Sequence, residues 1–253
     1  MKVTLLGTGT SGGVPSIGCK CKVCTSTDLH DKRLRCSALL ETETTRVLID
    51  CGPDFRQQIL PFPFKKIDGV LLTHIHFDHV AGIDDLRPFC TFGPIDIFAN
   101  QATVDALKQT MPYCFAEHLY PGVPLLNLHP AYPRVPIQIG DIEILPIEVM
   151  HGKMPILGYR IGRFAYITDM KTIDAVDEHA LEGVEVLVVN ALRKEQEHYS
   201  HQLLGDAVAF SQRLAAKRTL IIHSCHHIGL HEEVNRSLPD GVEMAFDGQV
   251  IEL

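Results

Sequence analysis

The 253-residue chain has no apolar run long enough to span a bilayer, and it has no surplus of positive charge. Its 23 Lys and Arg stand against 31 Asp and Glu, a formal net charge of -8. The first absence excludes a membrane-spanning role. The second argues against a broad basic face that holds extended nucleic acid. It leaves room for a small anionic substrate, because bound divalent cations dominate a local field whatever the total charge. Nothing in the composition marks a linker, and 45% hydrophobic residues suffice for a large core, so residues 1–253 are read as one domain. The opening Met1-Lys2-Val3-Thr4-Leu5-Leu6-Gly7 reaches glycine before an apolar leader could form. The eight cysteines are therefore expected as reduced thiols in a soluble cytoplasmic protein.

Short β-rich runs alternate with helical patterns. Strands are predicted at Val3 to Leu6, Ser37 to Leu40, Val47 to Asp50, Val70 to Thr73, Ile95 to Ala99, Ile142 to Val149, Ile156 to Ile161, Phe164 to Thr168, Val186 to Val189, Leu220 to Ile222 and Val250 to Leu253. Helices are predicted at Gln101 to Gln109, Leu203 to Ala216 and Leu230 to Ser237; in the second, Leu203, Ala207, Phe210 and Leu214 share one face. Gly7-Thr8-Gly9-Thr10-Ser11-Gly12 satisfies GxGxxG after a strand, but Gly13, Pro15 and Gly18 follow where a dinucleotide-binding turn opens a helix. A tight loop near the rim of an active site is the better reading.

Thr73-His74-Ile75-His76-Phe77-Asp78-His79 carries the chemistry. It packs four metal-ligand side chains into six positions after the apolar Val70-Leu71-Leu72. A strand end sets His74 and His76 on one side, since side chains alternate with a period of two, and the following turn can aim Asp78 and His79 at a second ion. A second cluster, Cys19-Lys20-Cys21-Lys22-Val23-Cys24, brings three soft ligands into six residues, a pattern for structural zinc. Its fourth ligand is not local, and the segment His223-Ser224-Cys225-His226-His227 offers three candidates, Cys225, His226 and His227. The remaining Cys36, Cys51, Cys90 and Cys114 sit in apolar surroundings and are expected as buried small hydrophobes.

The HxHxDH spacing resembles the metallo-β-lactamase superfamily, and the resemblance runs the length of the chain. It implies an α/β (α+β) fold, a four-layer αββα sandwich with two similar halves. It implies that His74, His76 and His151 hold one metal, that Asp78, His79 and His223 hold another, and that Asp169 bridges them. The donor set suits Zn²⁺, Mn²⁺ or Fe²⁺, and such a pair acts through a bridging hydroxide. In phosphodiesterases of the superfamily a histidine just before a late helix protonates the leaving group. His201 stands there, with His198 a weaker competitor, and a pKa near neutrality would suit the task. The CxCxxC narrows the resemblance to the cyclic phosphodiesterase subgroup associated with phosphonate breakdown, in which the fourth ligand maps to His226.

Asp78 and His201 are accordingly the expected catalytic pair of a hydrolase for a small or cyclic phosphodiester. The nearest rival is a tRNA 3′-processing endonuclease. Between Val80 and Met150, however, the only Lys or Arg are Arg87, Lys108 and Arg134, too few for a phosphate-backbone grip. Thioesterase or lactamase chemistry and a scaffold without catalysis are weaker rivals. Tyr159, Arg160, His118 and Tyr120 are candidates for substrate contact, although nothing in their spacing compels it and packing in the core or at the rim is an equal reading for the aromatics; a homo-oligomer is compatible with the sequence.

Overall fold

The structure is a computed structural model that describes residues 1–116 and 118–253. The first sheet is built from β1 (Lys2–Gly7), β2 (Ser37–Glu41), β3 (Arg46–Ile49), β4 (Gly69–Leu71), β5 (Ile95–Ala99) and β6 (Leu126–Pro130). The second contains β7 (Ile137–Ile139), β8 (Ile142–His151), β9 (Met154–Ile161), β10 (Phe164–Ile167), β11 (Val186–Asn190), β12 (Arg218–Ile222) and β13 (Val242–Met244). The last strand, β14 (Val250–Glu252), returns to pair with β1 in the first sheet. The orders are β14-β1-β2-β3-β4-β5-β6 and β13-β12-β11-β10-β9-β8-β7.

Each sheet changes character half-way. In the first, pairings are antiparallel from β14 to β3 and parallel from β3 to β6. In the second they are antiparallel from β7 to β10 and parallel from β10 to β13. These are the two similar halves.

Period-two alternation turns each sheet into a double-sided surface. Ala38, Val47, Ile49 and Leu71 face inward and pack with Leu157, Phe164, Tyr166 and Val188 in a core between the sheets. Their neighbours Leu39, Leu48 and Val70 face outward, against Phe55 of α1 (Phe55–Ile59) and Val104 and Leu107 of α3 (Gln101–Thr110). On the far side, Ala165 and Ile167 meet Ala207, Phe210 and Leu214 of α5 (Leu204–Leu214). The layers are thus α, β, β, α, as expected from the sequence. No helix is long and apolar enough to cross a membrane among the described residues.

The strands missed by pattern are β6, β7 and β13. All three are edge strands, short or half-exposed, and so lack the apolar run that marks a buried strand. Also missed were α1, α2 (Phe77–Val80) and α4 (Ala175–His179), each of five residues or fewer, and the 3-10 segment Ile83–Phe92 with Pro88 inside it. The Leu230 helix shrinks to α6 (His231–Asn235). Cys36, Cys51 and Cys114 are buried as expected, whereas Cys90 is only partly so.

Two bonds cross between the sheets just before the histidine loop. The buried Tyr159 hydroxyl donates to Leu72 O at 2.6 Å, and Leu157 N donates to Thr73 O at 3.0 Å. Tyr159 therefore belongs to the core rather than to a substrate surface. Tyr159→Phe leaves a buried carbonyl without this donor, an expected loss of about 1–3 kcal/mol, read in calorimetry as a Tm lower by roughly 2–4 °C per kcal/mol. An unchanged Tm would show that the bond contributes nothing net.

Candidate metal centre and active-site cavity

Strand ends deliver the donor groups to one edge of the sandwich. Beyond β4, Thr73 N and the Thr73 hydroxyl both donate to Asp50 Oδ1, at 2.8 and 3.1 Å, and the hydroxyl also reaches Oδ2 at 2.9 Å. With that hydroxyl proton committed, Thr73 Oγ1 can accept from His74 Nδ1, 3.0 Å away, which leaves the lone pair on His74 Nε2. Asp50 Oδ2 also accepts from His79 Nδ1 at 2.6 Å, freeing His79 Nε2 in the same way. A carboxylate behind a histidine is the usual device for fixing a ligating tautomer. His151 Nδ1 donates to Asp169 O at 2.8 Å, so it too presents Nε2.

The free nitrogens converge. His74 Nε2 faces His76 Nδ1 at 3.0 Å, and the ligand atoms of His74, His76 and His151 lie within 4.8 Å of one another. Those of Asp78, His79 and His223 meet the same limit, as do those of His74, His79 and Asp169. His79 Nε2 stands 3.2 Å from Asp78 Oδ2 and 3.3 Å from Asp169 Oδ2. His223 Nε2 stands 3.1 Å from Asp169 Oδ1. Yet His79 Nε2 and both nitrogens of His223 are buried without a hydrogen bond. Buried orphans of this kind are costly, and nitrogen and carboxylate donors around a shared centre are what a divalent cation requires. The residues fit a metal. Burial opposes ionisation of Asp78, but His223 and His79 hold its carboxyl well below the usual carboxylate range, so it is a charged ligand at neutral pH.

Close packing and backbone strain hold the loops. A Cβ on Gly52 would lie 2.0 Å from Asp78 O, so only glycine lets this backbone lie under the histidine loop. Asp50, Asp169 and His223 all have left-handed φ, at 57°, 57° and 55°, a conformation that persists at functional sites because surrounding bonds impose it. Asn190 clamps the turn after Asp169: its side chain accepts from Met170 N at 2.7 Å and donates to Met170 O at 3.0 Å. Asp50, Gly52 and Asn190 were not singled out from sequence. Their signals were an acid at the end of an apolar strand, a glycine two residues on, and an amide at another strand end.

Above the cluster lies a cavity of about 400 Å³ lined by Thr10, Ser11, His76, Asp78, His151, Asp169, Leu192, Arg193, His198, Tyr199, Ser200, His201, His223 and Cys225. The glycine-rich loop does reach the rim, through Thr10 and Ser11. His201 lies on the segment before α5, next to Gln202, whose N–H donates to Met170 O and whose carbonyl accepts from Leu192 N. Its Nδ1 is 3.6 Å from Asp169 Oδ1 and has no hydrogen-bond partner. Burial and the neighbouring His223 lower its pKa to about 3, well below the near-neutral value assumed from sequence, so the free site holds it neutral. Tyr159, Arg160, His118 and Tyr120 are absent from the lining: Arg160 instead donates to Gly162 O and Ala180 O, and Tyr120 is 77% exposed.

The second cluster is also assembled. Cys19 Sγ and Cys21 Sγ lie 3.4 and 3.3 Å from His226 Nδ1, and with Cys24 Sγ the four atoms are within 4.8 Å of one another. His226, rather than Cys225 or His227, completes the group. The Cys24 backbone N–H and His226 lower the Cys21 thiol to about 6, whereas burial raises Cys24 to about 11. Three sulfurs and one imidazole fit zinc.

Known proteins share this sequence pattern and fold. A model of the beta-lactamase superfamily domain matches residues 45–224. A solved diphosphatase described as being of the PhnP family shares 38% identity at a TM-score of 0.92, over 100% of this chain and 97% of its own. The chain belongs to the metallo-β-lactamase superfamily, in its PhnP-like subgroup. Zinc-bound PqqB from Methylobacterium extorquens has the same fold, with a TM-score of 0.83, 19% identity and full coverage of both chains. An octanoyltransferase of Porphyromonas gingivalis is 44% identical over 249 residues, 98% of this chain and 51% of that protein. Coenzyme PQQ synthesis protein B of Xanthomonas campestris is 28% identical over 170 residues, 62% of this chain and 54% of its own. The chain spans about half the length of these curated relatives. Superfamily membership makes divalent-metal binding and a hydrolase fold the frame for the site.

Two substitutions separate its parts. Asp50→Asn removes the charge behind His79 and is expected to weaken metal affinity or activity by about 10- to 100-fold, measured by metal titration; wild-type affinity would remove Asp50 from the centre. Cys21→Ser is expected to lose one metal equivalent by elemental analysis and to lower Tm, leaving the histidine–aspartate centre loaded. Unchanged metal content in that variant would show the cysteine cluster to be metal-free.

Proposed function

We propose that this protein is a metal-dependent hydrolase of a small phosphodiester. The observation that carries this reading is the convergence of seven residues with nitrogen and carboxylate donors, five of which line a cavity that also holds His201. His74, His76 and His151 are assigned to one divalent ion, Asp78, His79 and His223 to a second, and Asp169 to both. When bound, such a pair supplies a water of lowered pKa and positive charge against the oxygens of an in-line displacement. Zn²⁺ and Mn²⁺ suit the donors, with Fe²⁺ a further fit, and the cysteine cluster with His226 is assigned a structural zinc.

The chain's own residues supply the rest. Asp78 and Asp169 are held ionised, Asp169 likewise pulled well below the usual carboxylate range, against the effect of its burial, by His223 and His79. His201 lines the cavity, its buried Nδ1 has no hydrogen-bond partner, and it is the residue assigned to protonate the leaving oxygen. Burial and the neighbouring His223 lower its pKa, and an anionic phosphoryl group beside it opposes that effect.

The diphosphatase similarity supports phosphorus chemistry. Octanoyl transfer, named for the Porphyromonas gingivalis relative, is not proposed for this chain, which spans 51% of that protein. Acyl transfer through a protein thiol needs a thiolate, and burial raises the pKa of Cys225, the cysteine lining the cavity. The low density of Lys and Arg between Val80 and Met150 favours a small substrate over tRNA.

Protein loaded with Zn²⁺ or Mn²⁺ is expected to hydrolyse bis(p-nitrophenyl) phosphate, and Asp78→Ala to lose at least about a hundredfold in kcat, the scale on which even supporting contacts act, while remaining folded by circular dichroism. Fully metallated protein with no turnover would sink the phosphodiesterase reading in favour of a thioester, a lactam or tRNA.

A further inference from the structure

Arg193 is the one Lys or Arg among the described residues that line the cavity. It follows β11 and is half-buried. Its guanidinium is held from behind: Nε donates to Gln196 O at 2.8 Å and Nη2 to Glu197 O at 3.3 Å. Among the described residues it forms no ion pair, although Lys171, across the same loop, is neutralised by Glu197 at 2.9 Å. After burial, the charge of Arg193 is the largest influence holding His198 below the ordinary histidine range, so its field reaches into the cavity.

A fixed, carboxylate-free cation beside a metal centre is an expensive arrangement unless an anion lies between them. Two divalent ions against the two cavity carboxylates, Asp78 and Asp169, leave surplus positive charge, and Arg193 adds to it. Against that sum a phosphodiester brings one negative charge and a diphosphate-linked diester two, so a second phosphoryl group offsets more of it. The guanidinium's free Nη1 edge, braced by two carbonyls, is pre-organised to grip a phosphoryl oxygen.

We infer that Arg193 is a specificity-determining residue that binds a second phosphoryl group, so that the substrate class is a diphosphate-linked diester rather than an isolated phosphodiester. This rests on the phosphodiesterase reading above. In the reaction, the oxygen of water bonds to the phosphorus held at the His–Asp cluster and one P–O bond of the P–O–P bridge breaks. The bridging oxygen stays on the second phosphorus, which leaves as a phosphate monoester beside Arg193. The protons of the water pass to the leaving oxygen or to solvent.

The test compares kcat/KM for diadenosine 5′,5′-diphosphate with kcat/KM for bis(p-nitrophenyl) phosphate in metallated wild-type, Arg193→Gln and Arg193→Lys proteins of checked Tm and metal content. Arg193→Gln is expected to lower the diphosphate-to-monophosphate ratio by about 10- to 100-fold, the scale of a lost charge-assisted bond. Arg193→Lys, which keeps the charge but loses the two-carbonyl brace, is expected to recover part of that ratio. A ratio unchanged in Arg193→Gln, or as low in Lys as in Gln, means that Arg193 merely braces its loop and overturns the inference. Wild-type protein that cleaves bis(p-nitrophenyl) phosphate but not the diphosphate overturns the inference and spares the reading beneath it. Cleavage of neither overturns both.

Discussion

The site depends on one buried carboxylate. Asp50 is fully enclosed and spends its oxygens on Thr73 and His79, which begin and end the histidine loop. An ionised group in such a place is strongly disfavoured unless every lone pair is engaged, and burial does push its pKa up against the pull of His79. The same bonds that make the charge tolerable fix the loop. They orient the rings of His79 and, through the Thr73 hydroxyl, His74, so the ligand geometry follows from satisfying one buried anion.

That anion sits where the two sheets are pinned together. The carbonyls of Leu72 and Thr73 accept from Tyr159 and Leu157 of the opposite sheet, so the base of the loop cannot shift without disturbing the central core. Beneath it, Cys51 N donates to His79 O and Gly82 N to Cys51 O. Left-handed backbone at Asp50, Asp169 and His223 costs of order 1–3 kcal/mol each, and these interlocking bonds are what offset it. The strain turns each chain sharply at a strand end, which is how strands from both halves aim side chains at one point.

Much of this was legible in the sequence because the donor residues lie at strand ends after buried apolar runs, and period-two alternation then limits where they point. His74, His76, His151, Asp169 and His223 stood out for that reason. Asp50 obeyed the same grammar but carried no motif, since nothing local distinguishes an acid that supports a histidine from one that caps a turn. Tyr159 admitted two readings, since its hydroxyl invites a ligand while its place in the alternation of β9 points it to the core, where it lies. The near-neutral pKa assumed for His201 failed because burial and the charge of His223 come from contacts across the fold, to which spacing is blind. Edge strands escaped notice because their burial is too slight to write a pattern.

The two donor clusters are joined by the strap His223-Ser224-Cys225-His226, and the bonds of Ser224 decide how strongly they communicate. Ser224 N donates to Thr8 O, Thr10 N donates to Ser224 O, and the Ser224 hydroxyl donates to Ala191 O at 2.9 Å. All of these anchors lie on the His223 side of the strap's midpoint and none involves the cysteines. His223 is therefore held by its own sheet and, through Ser224, by Thr8, Gly9 and Thr10 of the N-terminal loop. The cysteine cluster acts on that loop, whose Thr10 and Ser11 form the cavity rim. Its reach into function runs through the shape of that rim and through the Ser224 bonds that tie the loop to His223.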